Sequence, residues 1–340
     1  MLDKTSHTFG SDFPTLEDIR RAAARLSGKI LHTPVWRWQT GIAESAGNDA
    51  AEIWLKLELF QKTGSFKLRG ALNCAVALDA EARRHGVVAV SAGNHAIAVA
   101  FTARLLGMSA KVVMPQHASP ARIAACNEFG AEVILVADVH QAFLRGKQIE
   151  MEESRTMIHP FEGPLTAEGA ATVGLEFMEQ VTGLDAVIVP IGGGGLCAGI
   201  ASAVKQMDAR CAVYGVEPFG ADALYRSLQS GKPETLERVD TVADSLGAPY
   251  ALPYSFGACR RFVDAVVRVS DDELCRSMYV LFRDAKLVAE PAAAAATAAL
   301  FGPLREKLAG QRVGLIVCGS TIDSIRYAEL LERGRRLQGA

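Results

Sequence analysis

Ser65-Phe66-Lys67-Leu68-Arg69-Gly70-Ala71 sets a lysine in apolar company, although lysines are ordinarily surface residues. Desolvation disfavours an ammonium, and a lysine poised in this way can add to a carbonyl as a Schiff base. A second segment, Gly192-Gly193-Gly194-Gly195-Leu196, follows the apolar run Ala186-Val187-Ile188-Val189 and opens helix-forming sequence. Backbone N–H groups and the positive helix end converge at such a turn, which makes an anion cradle suited to phosphate. A tight turn needs one or two glycines, whereas the run Gly192 to Gly195 implies close approach of the backbone to a ligand. The same residues fit another reading. Gly193-x-Gly195-x-x-Ala198 satisfies a dinucleotide fingerprint, and Glu217 ends the next strand where a ribose-binding carboxylate belongs, so an NAD-dependent oxidoreductase stands as the alternative.

These groups must be held by an alternation of strands and helices. Thr15-x-x-Asp18 predicts a capping box that opens a helix ending near Gly28, and the alternation of Ile53, Leu55, Leu57 and Leu59 predicts a strand to Phe60. Short β-branched runs then recur at 87–90, 111–114, 132–136, 186–189, 212–216 and 313–317 with helical sequence between them, the signature of βαβ units and parallel-rich sheets. Strands 87–90, 111–114 and 132–136 form a compact set. Residues 85–160 are therefore read as a small α/β domain inserted into a large one made of 1–84 and 161–340. Ligands bind in clefts outside the carboxyl ends of such strands. Ser91-Ala92-Gly93-Asn94-His95, Gly192 to Gly195 and Cys318-Gly319-Ser320-Thr321 all fall there.

Bulk properties narrow the partner. A chain of 340 residues, 49% hydrophobic, can fill two cores, and 36 basic against 38 acidic residues give no basic field for nucleic acid or an anionic membrane. A small molecule is the expected partner. The seven cysteines are scattered without a C-x-x-C pair, and Met1 to Pro14 lacks an apolar leader, so a reducing cytoplasm is expected. The uncharged stretch Ala186 to Val204 is long enough for a membrane span, but Pro190 and the glycines predict a strand, a turn and a buried helix instead.

Lys62-Thr63-Gly64-Ser65-Phe66-Lys67, Ser91 to His95, the four glycines, Glu217-Pro218, Glu290-Pro291 and Cys318-Gly319 occur in this order. Together they resemble the fold type II pyridoxal-phosphate (PLP) enzymes, in the branch of threonine/serine dehydratases and serine racemases, from about Thr15 to Asp323. The resemblance implies a tryptophan synthase β-like α/β fold, with two lobes, parallel-rich sheets and the cofactor in the cleft between them. It implies that Lys67 carries PLP and then takes the Cα proton, that Phe66 packs beside the ring, and that Asn94 bonds its 3′-oxygen. Gly192, Gly193, Gly194, Gly195 and Leu196 would hold the phosphate, Cys318 would face the pyridine nitrogen, and Ser91, Ala92, Asn94 and His95 would line the substrate carboxylate. The implied reaction is dehydration of threonine, serine or a bulkier 3-hydroxy amino acid to a 2-oxo acid and ammonia, by a homodimer. An amino-acid racemase is the alternative within the family.

Several positions depart from the family pattern. Cys318 stands where many relatives have serine, and a thiol, with a pKa of about 8.5, does not hold a ring nitrogen protonated as a carboxylate would. Ala92 replaces the serine of racemizing relatives, which favours elimination over inversion. Ala223 replaces an aspartate of metal-binding relatives and leaves only Glu217 and the Ala221 carbonyl, with Asp222 beside them, so no metal is expected. Ile97 in place of a glutamine points to a less polar or bulkier β-substituent. His7, His32, His85, His117, His140 and His159 are read as structural, and the end of the last helix near Arg335 leaves no room for a regulatory domain.

Overall fold

A computed structural model describes residues 13–39 and 52–337. His7 and most of the polar leader, residues 1–12, lie outside them. The first helix, Leu16–Leu26, opens on the expected capping box: the Asp18 amide donates to Thr15 Oγ1 (3.1 Å) and the Thr15 amide to Asp18 Oδ2 (2.9 Å).

Among the described residues, ten strands form two sheets. β1 (Val35–Trp38), β2 (Glu52–Lys56), β7 (Ala186–Pro190), β8 (Ala212–Pro218), β9 (Ala265–Val269) and β10 (Arg312–Ile316) make the larger, in the order β1-β2-β10-β7-β8-β9. β3 (Val87–Val90), β4 (Ala110–Pro115), β5 (Glu132–Val136) and β6 (Thr156–Met157) make the smaller, ordered β5-β4-β3-β6. Every pairing is parallel except β1 with β2. Helices cover both faces of β7, which is why Ala186 to Pro190 is apolar throughout and wholly buried. The stretch from Ala186 to Val204 resolves into β7, the glycine turn and the helix Gly195–Met207. No helix among the described residues is long and apolar enough to cross a membrane.

The strand expected to reach Phe60 stops at Lys56 and gives way to a 3₁₀ turn, Glu58–Phe60. The alternation misleads there because Leu57 and Leu59 stay buried after leaving the strand: their amides bond Pro34 O (3.1 Å) and Val317 O (3.0 Å). The turn sends the chain across the carboxyl end of β10 and into the helix Lys67–Val76. That helix buries Leu68, Leu72 and Ala75 in the core of the smaller sheet, so packing crosses the boundary at residue 85.

A buried ionic cluster fixes the same helix. The Arg69 guanidinium, without exposure, donates to Glu58 at 2.8 Å through two nitrogens and to Glu176 at 2.7 and 2.8 Å. Lys56 Nζ donates to Glu176 at 2.9 Å and to the Thr33 carbonyl at 2.9 Å. Two cations thus meet two carboxylates, and burial, which opposes every one of these charges, is offset by complete pairing. Arg69→Leu leaves Glu58 and Glu176 short of a cation and is expected to cost about 3–5 kcal/mol. Chemical denaturation followed by far-ultraviolet circular dichroism checks it, and an unchanged midpoint would show the cluster to be incidental.

Candidate active site

Lys67 is the first residue of its helix, and the segment before it is stitched to the turn after β10. Phe66 N donates to Cys318 O (3.1 Å), Ser320 N to Gly64 O (2.9 Å), and Ser65 bridges Gly319. The Lys67 side chain reaches into the cleft between the sheets, where Nζ lies 5.1 Å from the centroid of the Phe66 ring and donates to Pro160 O at 2.5 Å. Burial lowers its pKa from 10.5 to about 8, and the neighbouring Cys318 and Glu290 only partly oppose that shift.

The glycine turn faces this amine. Gly194 has φ +94°, and a Cβ on Gly193 would fall 2.2 Å from the Phe161 ring, one on Gly195 2.3 Å from Phe161 O. Side chains are thus excluded where the backbone must lie open, and the first turn of helix Gly195–Met207 leaves N–H groups without intrahelical acceptors. Phe66, Lys67, Asn94, Glu290 and Cys318 line one cavity with Gly192, Gly193, Gly194, Gly195 and Leu196.

The Ser91–His95 loop joins β3 to the helix Asn94–Leu106. Ser91 Oγ accepts from the Gly93 amide (3.1 Å), and Ser91, Ala92, Asn94 and His95 line the outer cleft. Asn94 Nδ2 donates to both oxygens of Glu290, at 2.8 and 3.1 Å, while its Oδ1 is buried without a partner. His95 Nε2 lies 2.8 Å from Ile158 O, and since a carbonyl only accepts, that nitrogen carries the proton. Burial, with the Lys67 charge, lowers its pKa to about 3. The neutral ring has one N–H, spent on Ile158, and none for a carboxylate.

Other expected positions lie elsewhere. Glu217 accepts from the amides of Leu224 (3.0 Å) and Tyr225 (2.6 Å), capping the helix Ala223–Ser230, and burial raises its pKa to about 8. It offers no carboxylate to a ribose in the cleft, which undercuts the dinucleotide reading. Asp222 pairs with Arg226 (2.7 Å) and Arg268 (2.9 Å), and Ala221 is buried beside it. Ile97 belongs to the core under the smaller sheet, so its apolar character says nothing about substrate.

Glu290 was legible only as part of a dipeptide. It is buried at the start of the helix Pro291–Phe301, its side chain turned to Asn94 instead of capping, and burial followed by the Asp244 charge raises its pKa to about 7. His159, read as structural, lines the wall beside Lys67 and accepts from the amides of Phe161 and Glu162 at 3.3 and 3.0 Å. Phe161, Ser245 and Tyr250 also line the cleft from loops that carry no motif.

A desolvated amine, an anion-binding turn opposite it and the unpartnered buried oxygen of Asn94 fit a planar phosphorylated aldehyde. The chain's own comparisons agree: residues 26–319 match the family described as pyridoxal-phosphate dependent enzymes. The chain belongs to that family. It is 49% identical to a phenylserine dehydratase of Ralstonia pickettii over 94% of this chain and 97% of the relative. It is 36% identical to an L-threonine ammonia-lyase of Thermotoga maritima over 94% of this chain and 79% of that one. Among solved structures, maize serine racemase superposes with a TM-score of 0.88 at 33% identity, covering 96% of this chain and 99% of the other. Family, fold type and cofactor are those expected from the motifs, and the nicotinamide alternative is set aside.

Two outcomes follow. In cofactor-depleted protein, borohydride trapping of added PLP should map to Lys67 and rise as pH passes through about 8, because the lowered pKa frees the amine there; a pyridoxyl group on another lysine would sink the assignment. Activity should survive exhaustive chelation, since Glu217 is committed to backbone amides and Asp222 to two arginines. Loss restored by magnesium or calcium would reverse that conclusion.

Proposed function

We propose that Lys67 is the PLP-bearing lysine and proton carrier of an ammonia-lyase that removes water from a β-hydroxy amino acid, giving a 2-oxo acid and ammonia. The observation that carries this reading is the convergence of the desolvated Lys67 amine, the Gly192–Gly195 turn and Asn94 on one cavity. The relatives named a phenylserine dehydratase and a threonine ammonia-lyase support the same reaction class. When bound, the cofactor withdraws electron density from Cα, so that its proton is acidified and a β-hydroxyl can leave.

The chain's residues supply the rest. The amides of Gly192 to Gly195 and Leu196 would hold the cofactor's phosphate, and Phe66 and Asn94, which line the same cavity, would hold its ring. Lys67, with a pKa near 8, is available at neutral pH as the base that takes the Cα proton. Ser91, the Asn94 side chain and the first-turn amides of helix Asn94–Leu106 receive the substrate carboxylate, while neutral His95 packs the loop against Ile158 O. Cys318, its thiol pushed well up by burial, presents an uncharged partner to the ring nitrogen and keeps the electron sink modest. Residues 85–160 serve as the small domain inserted between 1–84 and 161–340, and the enzyme works as a cytoplasmic homodimer. The free cysteines support the reducing compartment.

Ala92 decides elimination against racemization. Inversion needs a donor on the second face within about 2.6–3.2 Å or through one water, and Ala92 offers a methyl group. Holoenzyme given β-hydroxy amino acids should release 2-oxo acid, and Lys67→Ala should lower the rate by at least about a hundredfold. Ala92→Ser should gain racemization of L-serine, read by chiral chromatography, as elimination falls. Substantial inversion by the native enzyme would refute the Ala92 argument, and no 2-oxo acid from any substrate would refute the function.

A further inference from the structure

The proposed elimination leaves open what the β-carbon carries, and the outer cleft bears on it. Beyond Lys67 the space opens to about 280 Å³. Three half-buried rings line it, gathered from separate parts of the chain. Phe143 comes from the helix Val139–Glu153, which packs on the smaller sheet. Phe161 comes from the segment after β6, and Tyr250 from the loop before the helix Pro253–Phe262. Tyr250 stands 6.4 Å from Phe143 and 6.2 Å from Phe161, centroid to centroid, at tilts of 57° and 50°. Val139 and Ala142 continue the lining with aliphatic groups, and Val139 is 48% exposed. Apolar surface left open in a concave site is a ligand-binding feature, unlike scattered exposed leucines elsewhere.

The charges at this mouth are already engaged with each other. Arg122 Nη1 donates to Asp244 at 2.7 Å and Nη2 to Thr321 O at 2.8 Å, while Nε, without a partner, is fully covered. A β-carboxylate would meet Asp244 beside Arg122 and no unpaired arginine. An aromatic ring instead meets three others, and ring pairs with centroids about 4.5–7 Å apart attract edge to face. Space is sufficient, because an apolar cavity of about 150 Å³ already accommodates benzene. We propose that Phe143, with Phe161 and Tyr250, forms an aryl subsite that makes this chain selective for β-hydroxy amino acids with an aromatic ring on Cβ. Phe143 is the specificity determinant of the three, since it alone comes from a helix of the smaller sheet and closes the ring wall from that side.

The test compares kcat/KM of the holoenzyme for phenylserine, threonine and 3-hydroxyaspartate, read as 2-oxo acid, in the native enzyme, Phe143→Ala and Phe143→Leu. Native enzyme should favour phenylserine by at least about tenfold. Both variants should lower the phenylserine-to-threonine ratio, by roughly tenfold or more for Phe143→Ala, chiefly through KM. Calorimetric binding of L-phenylalanine, which has the ring but no leaving hydroxyl, should weaken by roughly tenfold in Phe143→Leu, the variant that keeps apolar volume and tolerates the fold. A native preference for threonine or 3-hydroxyaspartate, or a ratio and an L-phenylalanine affinity unmoved in Phe143→Leu, would overturn the aryl subsite while leaving the elimination standing. No 2-oxo acid from any of the three would overturn the elimination, and the subsite with it.

Discussion

The fully buried guanidinium of Arg69 is the constraint around which the site is assembled. Placing it in the interior is costly by itself, and only pairing to Glu58 and Glu176 makes it tolerable. Those partners sit on the 3₁₀ turn after β2 and on the helix Pro164–Gln180, so four hydrogen bonds lock three elements in one geometry. Lys67 lies two residues before Arg69 on the same helix and inherits that geometry. Hydrophobic packing of Leu68 and Leu72 would allow small slides along the smaller sheet's core, whereas a bidentate guanidinium would not. The lysine is therefore positioned before any ligand arrives, which is how an active site avoids reorganisation during reaction.

Burial then outweighs local charge at the cleft floor. Cys318 and Glu290 would raise the Lys67 pKa, yet desolvation is the larger effect and the net shift is downward, to about 8. Glu290 moves up to about 7 for the same reason, despite donation from Asn94. His95 and His159 fall to about 3 and about 4 and stay neutral. A cationic floor would hold substrate carboxylate strongly, but the same desolvation that lowers the Lys67 pKa keeps both imidazoles neutral. A pKa lowered to about 8 gives the amine a deprotonated fraction near neutral pH, and neutral imidazoles leave anion binding to backbone N–H groups, which carry no titratable proton.

What the sequence disclosed follows from how local each requirement is. The glycine turn and the lysine segment were legible because backbone approach and amine chemistry demand particular residues in consecutive positions. β3, β4, β7, β8 and β10 were legible because strands covered on both sides read as apolar runs, whereas β5, a half-buried edge strand, was legible from its β-branched run alone. β1 was not, since its Val35-Trp36-Arg37-Trp38 sequence belongs to an antiparallel edge, and β6 has only two residues. β9, at the other edge, is only partly buried along Ala265 to Val267. Nearness to Asn94 in the chain points Ile97 to the substrate end, but its side chain belongs to the apolar core under the smaller sheet, a fact that sequence spacing alone does not disclose. Glu217 looked free at a strand end and proved to be a helix cap. Phe143 and Tyr250 had no sequence signal, because their relation exists only once the two sheets are set beside each other.

The division of labour between the sheets has a mechanistic consequence. The glycine turn and Cys318 extend from strands of the larger sheet, whereas the Ser91–His95 loop and Phe143 belong to the smaller. On the proposed reading, groups that hold cofactor and substrate thus come from both sheets, and Lys67 sits between them. Its helix buries its apolar face in the smaller sheet's core while Arg69 anchors it to the helix beside the larger. Arg122 makes a second tie at the mouth, reaching from the helix Pro120–Glu128 to Asp244 and Thr321 O. The Arg122–Asp244 pair is open to water on its carboxylate side, whereas the Arg69–Glu58 pair is wholly buried, so the firmer of the two ties is the one nearest the amine.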